Sequence, residues 1–188
     1  WKLLCSLFVD FFHFKETVEM NLKIKKLTHD AIIPFKAHRY DAGFDMFSNE
    51  NTLIKPGEHK KITTGIAIDI PEGHVGLLTA RSGINHKSHL RGLLGIIDAG
   101  YHGDVSILID NRSMSQKSKE FYPLINLKDY KLDYSSKTDS QHTYKIQKGD
   151  KIAQLVIVPI SLFDKIVEVK DFDSQSDRGE GGFGSTQN

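Results

Sequence analysis

The sequence is poor in cysteine. Its 188 residues include one, Cys5. That excludes an intrachain disulfide and a cysteine-cluster zinc site, and it points to a reducing compartment, the cytoplasm. A dominant charge is missing too. Lys and Arg number 25 against 24 Asp and Glu, for a formal net charge of +1. Nothing global argues for a nucleic-acid or acidic partner, so any basic site is local. Histidines are present but scattered, and the closest pair, His86 and His89, stands outside any HExxH context. A membrane-spanning run is also lacking. The most apolar stretch near the start, Leu3 to Phe14, is too short for a bilayer and is interrupted by Asp10. What remains is ordinary globular composition, 39% hydrophobic and 26% charged, long enough for one domain or two small ones with a real core.

The two ends differ in kind. The chain begins with Trp1, and Met20 is its first methionine. Residues 1–19 read as translated upstream sequence or an ill-ordered extension, with a membrane-surface anchor as the alternative. As a signal peptide the segment has one basic residue, Lys2, and no small-residue cleavage site. At the other end, RGEGGFGSTQN (178–188) surrounds a single Phe183 with glycines. Glycine loses most entropy on ordering, so the segment builds no packed element of its own. It is either a solvated tail or a flexible arm that orders over a ligand. In the second case glycine amides and Arg178 take phosphate and Phe183 stacks.

The middle reads as β. Ile62, Ile66, Ile68 and Ile70 alternate with polar residues. Pro71-Glu72-Gly73 supplies a turn and His74–Thr79 a returning strand. Val105–Ile109 alternates again, Ile152–Ile160 is a near-continuous apolar run after the turn Lys148-Gly149-Asp150, and Val167 with Val169 predicts a last short strand. No sustained helical period appears, so an antiparallel sandwich or barrel is expected. Residues 112–143 break the rhythm. They are rich in Ser, Lys and Asp yet hold Phe121, Tyr122, Tyr130 and Tyr134, which predicts an insertion with structure of its own.

Five short segments carry candidate chemistry. Asp41-Ala42-Gly43-Phe44-Asp45 sets acids around small residues, which alone is a turn. Ala80-Arg81-Ser82-Gly83 offers a guanidinium, a hydroxyl and amides at a chain reversal, a phosphate cradle or an ordinary surface turn. In Gly95-Ile96-Ile97-Asp98-Ala99-Gly100-Tyr101-His102-Gly103-Asp104, an aspartate ends an apolar strand. It is a general base or a turn residue beside a core tyrosine. In Lys148-Gly149-Asp150-Lys151-Ile152-Ala153-Gln154, the Gln154 amide sits in an apolar strand and needs a partner in the core or on a ligand. The glycine-rich tail is the fifth.

In order and spacing these segments resemble one family, the trimeric dUTP pyrophosphatases (dUTPases), from about Met20 to Thr186. The DAGYHG form and the insertion before KGDKIAQ look most like dUTPases from phages of Gram-positive bacteria. The resemblance implies a jelly-roll-like β-barrel over residues 20–177, a homotrimer, and active sites shared between subunits and closed by the C-terminal arm. It implies hydrolysis of dUTP to dUMP and pyrophosphate, with Mg²⁺ carried by the triphosphate rather than by the protein. By the same resemblance Asp98 is the base that activates the water attacking the α-phosphorus. Tyr101 packs on deoxyribose and excludes a 2′-hydroxyl. Arg81, Ser82, Gly83 and Gln154 contact the triphosphate, Gly95 and Ile97 belong to the nucleotide site, and Asp45 is a supporting acid. From the arm, Arg178, Gly184 and Ser185 reach the terminal phosphate and Phe183 stacks on uracil.

The physical logic stands beside the name. A triphosphate carries about three to four negative charges, which metal, arginines and amides must offset before a carboxylate acts nearby. Two positions depart from the family pattern. Gly100 stands where many members have an acid. Gly92 stands where many have an asparagine that helps hold uracil, which shifts base reading to backbone groups of Leu90–Gly95. The alternatives are a dCTP deaminase, which shares the fold but calls for a glutamate base, and a dUTPase whose insertion also docks a regulatory protein.

Overall fold

The structure is a computed structural model that describes residues 21–114 and 121–172. Residues 1–19 and the arm 178–188, with Arg178, Phe183, Gly184 and Ser185, lie outside the described residues. The chain is built from short strands. β1 (Lys23–Lys26), β2 (Phe44–Phe47), β3 (Thr52–Ile54), β4 (His59–Ile62) and β5 (Ile66–Asp69) lead to the long β6 (His74–Ala80). A short helix, α1 (Ser82–Lys87), follows. Then come β7 (Leu90–Gly92), β8 (Gly95–Asp98), β9 (Ile107–Asn111), β10 (Tyr122–Asn126), β11 (Leu132–Thr138), β12 (Tyr144–Ile146) and the longest strand, β13 (Lys151–Pro159). Among the described residues no helix is long and apolar enough to cross a membrane.

The strands form four sheets, ordered β1-β5, β11-β10-β12-β3, β2-β13-β6-β8 and β4-β9-β7. All pairings are antiparallel except β10 with β12. One apolar core joins them. Met46 from β2, Ile54 from β3, Leu78 from β6, Ile109 from β9, Ile146 from β12 and Ile152 from β13 are all fully buried in it. This is the all-β architecture the alternating runs predict.

Two predicted features differ. The alternating run Ile62–Ile70 is two strands in two sheets, because β4 ends at Ile62 and β5 begins at Ile66. Between them Gly65 takes φ +67°. The amides of Thr64 and Gly65 donate to the Asp104 carboxylate at 3.2 and 2.9 Å. The predicted strand at Val167 and Val169 is not formed. Those residues are exposed, as are Leu162, Phe163 and Ile166. A strand needs a neighbouring edge for its amides, and this segment meets none among the described residues.

The described part of 112–143 forms two strands. β10 and β11 make a hairpin, and β10 runs parallel to β12, with Ile125 opposite Tyr144. The hairpin thereby extends the sheet that leads into the KGDK turn. That turn is tight: Gly149 has φ +88°, and the Asp150 carboxylate accepts the Gln147 amide at 2.8 Å.

Candidate active site

β6 is the axis of the site. Its last residue, Ala80, runs directly into Arg81, which precedes α1. β13 lies beside it and carries β2 on its other edge, in a register that sets Gln154 opposite both Thr79 and Asp45. Asp45, Arg81 and Gln154 therefore share one end of the sheet. Asp45 is 4% exposed and takes two cations, Arg81 Nε at 2.9 Å on one oxygen and Lys151 Nζ at 2.8 Å on the other. A buried carboxylate needs such pairing to remain charged. The bond at Nε uses one of the five guanidinium donors and fixes the plane of the fork. The terminal nitrogens are left to an anion.

Lys151 is steadied from below. Its ammonium lies 5.1 Å from the Phe35 ring centroid, and Phe35 stacks on Phe47 at 5.4 Å, an arrangement that attracts a cation to the ring faces. Gly43 allows the first motif to close on the fourth, since a β-carbon there would stand 2.4 Å from Gln154 Cγ. In front of these residues opens a cleft of about 1010 Å³. Arg81, Ser82 and Gly83 line one wall. The KGDK turn forms another, and Lys128 and Tyr130 of the insertion a third. Its charge is carried mainly by Arg81, Lys87, Lys128, Lys148 and Lys151, a composition suited to a polyanion.

The residues of the third motif are elsewhere. β8 pairs with β6 so that Asp98 lies opposite Val75 and Gly95 opposite Leu78. From Val75 to Arg81 the strand advances about 20 Å at ~3.3 Å per residue. Asp98 and Arg81 thus stand at opposite ends of β6 within one chain. Asp98 is exposed on the edge strand β8. The Tyr101 amide donates to the Asp98 carbonyl at 3.1 Å, with Gly100 at φ +89°. That is the conformation of the third residue of a type II turn, which favours glycine over an acid. Tyr101 is no core residue: it is 45% exposed, and its hydroxyl donates to the Asp104 carbonyl at 3.1 Å. The Ile97 side chain is buried, so only its backbone is offered to a ligand. Gly92 is a packing requirement, because a β-carbon there would stand 2.4 Å from Ala80 Cβ.

Sequence reasoning missed several site residues. Lys151, within the fourth motif, had no assigned role, yet it shares Asp45 with Arg81. Asp104, in the third motif, turns out to tie that loop to Thr64, Gly65 and Ser106. Lys128 and Tyr130 reach the cleft from the insertion, and nothing local in their sequence signals it. Among the described residues no three His, Cys, Asp or Glu side chains stand together as a metal site. Of the carboxylates at or behind the cleft, Asp150 accepts the Gln147 amide, Asp45 takes Arg81 and Lys151, and Asp30 takes Lys148.

Comparison with known proteins bears on this arrangement. The dUTPase family profile matches residues 29–118 and 132–187, leaving out only 119–131 of the 112–143 segment. The deoxyuridine 5'-triphosphate nucleotidohydrolase of Clostridium kluyveri is 41% identical over 171 residues, covering 89% of this chain and 98% of the relative. The solved dUTPase of Staphylococcus bacteriophage 80alpha with dUPNHPP superposes with a TM-score of 0.81 at 42% identity, covering 89% of this chain and 99% of that one. A mutant dUTPase from phage phi11 of S. aureus, described with a structural Mg(II) ion, gives 0.76 at 39% identity over 82% of this chain and 100% of its own. Fold, motif order and relatives agree: the chain belongs to the dUTPase family.

Proposed function

We propose that this protein hydrolyses dUTP to dUMP and pyrophosphate, keeping uracil out of DNA and supplying dUMP for thymidylate synthesis. The observation that carries the reading is the cation-lined cleft walled by Arg81, Ser82 and Gly83, with Asp45 holding Arg81 and Lys151 from behind and Gln154 opposite Asp45 in the sheet, within a dUTPase-family chain. Arg81, the Ser82 hydroxyl, the Gly83 amide and Gln154 hold the triphosphate, with Asp45 fixing the guanidinium. Mg²⁺ supplies charge neutralisation on the phosphate oxygens when bound. The donor set fits a metal held by substrate, since the nearby carboxylates already have partners in the chain.

Asp98 takes the proton of the water that attacks the α-phosphorus, and pyrophosphate leaves. Attack at phosphorus asks mainly for positioning and electrostatics. Tyr101 packs on the sugar and excludes a 2′-hydroxyl. The edge strand β8 presents backbone groups of Gly95 and Ile97 to the base, which suits a chain with no side chain at Gly92. Asp98 and Arg81 are about 20 Å apart along β6, so one chain does not supply both to one α-phosphate. The working unit is a homotrimer in which Asp98 and Tyr101 of one chain face the cradle of another. The exposed apolar residues Ile166, Phe163 and Phe172 pack on a neighbouring copy. The arm, residues 178–188, closes the site with Arg178 and Ser185 on the terminal phosphate, Gly184 beside them and Phe183 on uracil. The enzyme works in the cytoplasm, that of a host cell if it is phage-encoded.

The test is turnover of dUTP and dCTP side by side, with released pyrophosphate measured. The proposal expects pyrophosphate from dUTP and neither pyrophosphate nor deamination from dCTP. Deamination of dCTP would favour the deaminase alternative. A second reading concerns the insertion. Leu132 and Tyr134 are 51% and 70% exposed on β11, which suits a protein partner in addition to catalysis. A pull-down with the hairpin deleted and dUTP turnover retained separates that role from the chemistry.

A further inference from the structure

The geometry points to Tyr130 of the insertion as a substrate-positioning residue whose hydroxyl donates a hydrogen bond to the β- or γ-phosphate of the bound nucleotide, with Lys128 adding charge beside it. This rests on the dUTP-binding reading of the cleft and adds to it a wall that the insertion builds.

The hairpin loop between β10 and β11 is closed on both sides. The Asn126 amide donates to the Lys131 carbonyl, and the Tyr130 amide donates to the Asn126 carbonyl, each at 2.9 Å. The last loop position is thereby held in the left-handed region, and Tyr130 has φ +60°. Glycine and asparagine take that conformation at little cost, whereas a bulky side chain there is an outlier. Such outliers cluster where a site needs a side chain held in one place.

The side chain of Tyr130 is held against the second motif. A β-carbon on Gly83 would stand 3.6 Å from the Tyr130 hydroxyl oxygen, so the phenol lies over the backbone of the phosphate cradle. The Lys87 ammonium lies 5.9 Å from the Tyr130 ring centroid, and both residues line the cleft with Arg81 and Lys128. The ring itself packs on the edge of the core, which anchors it and leaves the hydroxyl end toward the cleft. Burial raises the Tyr130 pKa above its usual value, although the Arg81 charge opposes the shift. The group therefore stays protonated at neutral pH and can act as a donor to a phosphate oxygen. Tyr130 lies over Gly83 among Arg81, Lys87 and Lys128, so in the proposed reading it serves the leaving pyrophosphate end held by that cradle.

Tyr130→Phe keeps the ring and removes only the hydroxyl. The experiment is calorimetric titration of the intact protein with Mg²⁺ and an α,β-imido analogue of dUTP, and separately with dUMP. A hydrogen bond to a charged group predicts about a tenfold or greater loss of analogue affinity in Tyr130→Phe, with dUMP affinity unchanged within about twofold. Lys128→Gln, an exposed position that does not risk the fold, is expected to weaken the analogue by about threefold at low salt and less at high salt. Equal analogue affinity in wild type and Tyr130→Phe overturns the assignment while the dUTP reading stands. Equal losses for analogue and dUMP overturn it as well, because a structural role acts on both. If wild-type protein binds neither ligand, the reading of the cleft fails and the assignment fails with it.

Discussion

At one end of β6, Ala80 leads into Arg81 and a cleft crowded with cations. At the other, Val75 faces Asp98 on an edge strand with exposed Ile96 and Tyr101 nearby. The first end is a charge trap with its acid buried and paired. The second presents an exposed carboxylate, a tyrosine ring and backbone. A phosphate-transfer site needs both kinds of surface, cations to hold the polyanion and a base to act on water. On the proposed reading, the separation gives each chain two half-sites that face different neighbours and makes oligomerisation part of the chemistry rather than an addition to it.

The largest expected effect belongs to the arm, which is proposed to close over both halves. Removing 178–188 is expected to lower dUTP turnover by about a thousandfold, the scale of an arginine supplied to a phosphoryl transition state. Light scattering of the truncated protein keeps the wild-type mass. Undiminished turnover would make the arm a bystander. Next is the base end alone. Asp98→Asn loses at least about a hundredfold in turnover and keeps its affinity for the imido analogue, because the cradle is untouched. The cradle end gives the converse. Asp45→Asn releases Arg81 and Lys151, and analogue affinity is expected to fall by about tenfold, or 1.4 kcal/mol. A tighter-binding Asp45→Asn protein would show that the acid opposes the phosphate more than it organises the arginine.

The smallest effect lies in the insertion and belongs to neither end. The Asp133 pKa is lowered to about 2 by its hydrogen bonds from Ser135 and Lys145. Its folded-state pKa is below the unfolded one, so its contribution is present above about pH 4 and is lost as pH falls toward about 2. Hydrogen-exchange protection in the β10–β11 hairpin, measured against the intrinsic rate at each pH, is expected to fall across that window in wild type. In Asp133→Asn protection is already lower at neutral pH and changes less on acidification. A hairpin with identical exchange in both proteins would remove the Lys145 pair from the account.

Much of this fold was legible where a strand carries its own signal. Pro71-Glu72-Gly73 and Lys148-Gly149-Asp150 are turns with Gly73 at φ +74° and Gly149 at φ +88°, and β6 and β13 follow them as expected. Legibility failed where structure depends on something distant. Val167 and Val169 have strand-like sequence but no edge to join. The isoleucines from Ile62 to Ile70 keep one period across two sheets because Asp104, remote in sequence, turns the chain at Thr64 and Gly65. The motifs marked Asp98, Arg81 and Gln154 by resemblance, but local sequence holds no measure of the distance along β6. Lys151 and Tyr130 escaped because their partners, Asp45 and Gly83, come from other parts of the chain.

The direct test of a site divided between chains is complementation. Asp98→Asn and Arg81→Ala chains, each nearly inactive alone, are refolded together at equal concentration. If Asp98 and Arg81 of one site come from different chains, random assembly restores both to about a quarter of the sites, and turnover rises to about that fraction of wild type. Turnover that stays at the level of the separate mutants would contradict the account and return both residues to a single chain.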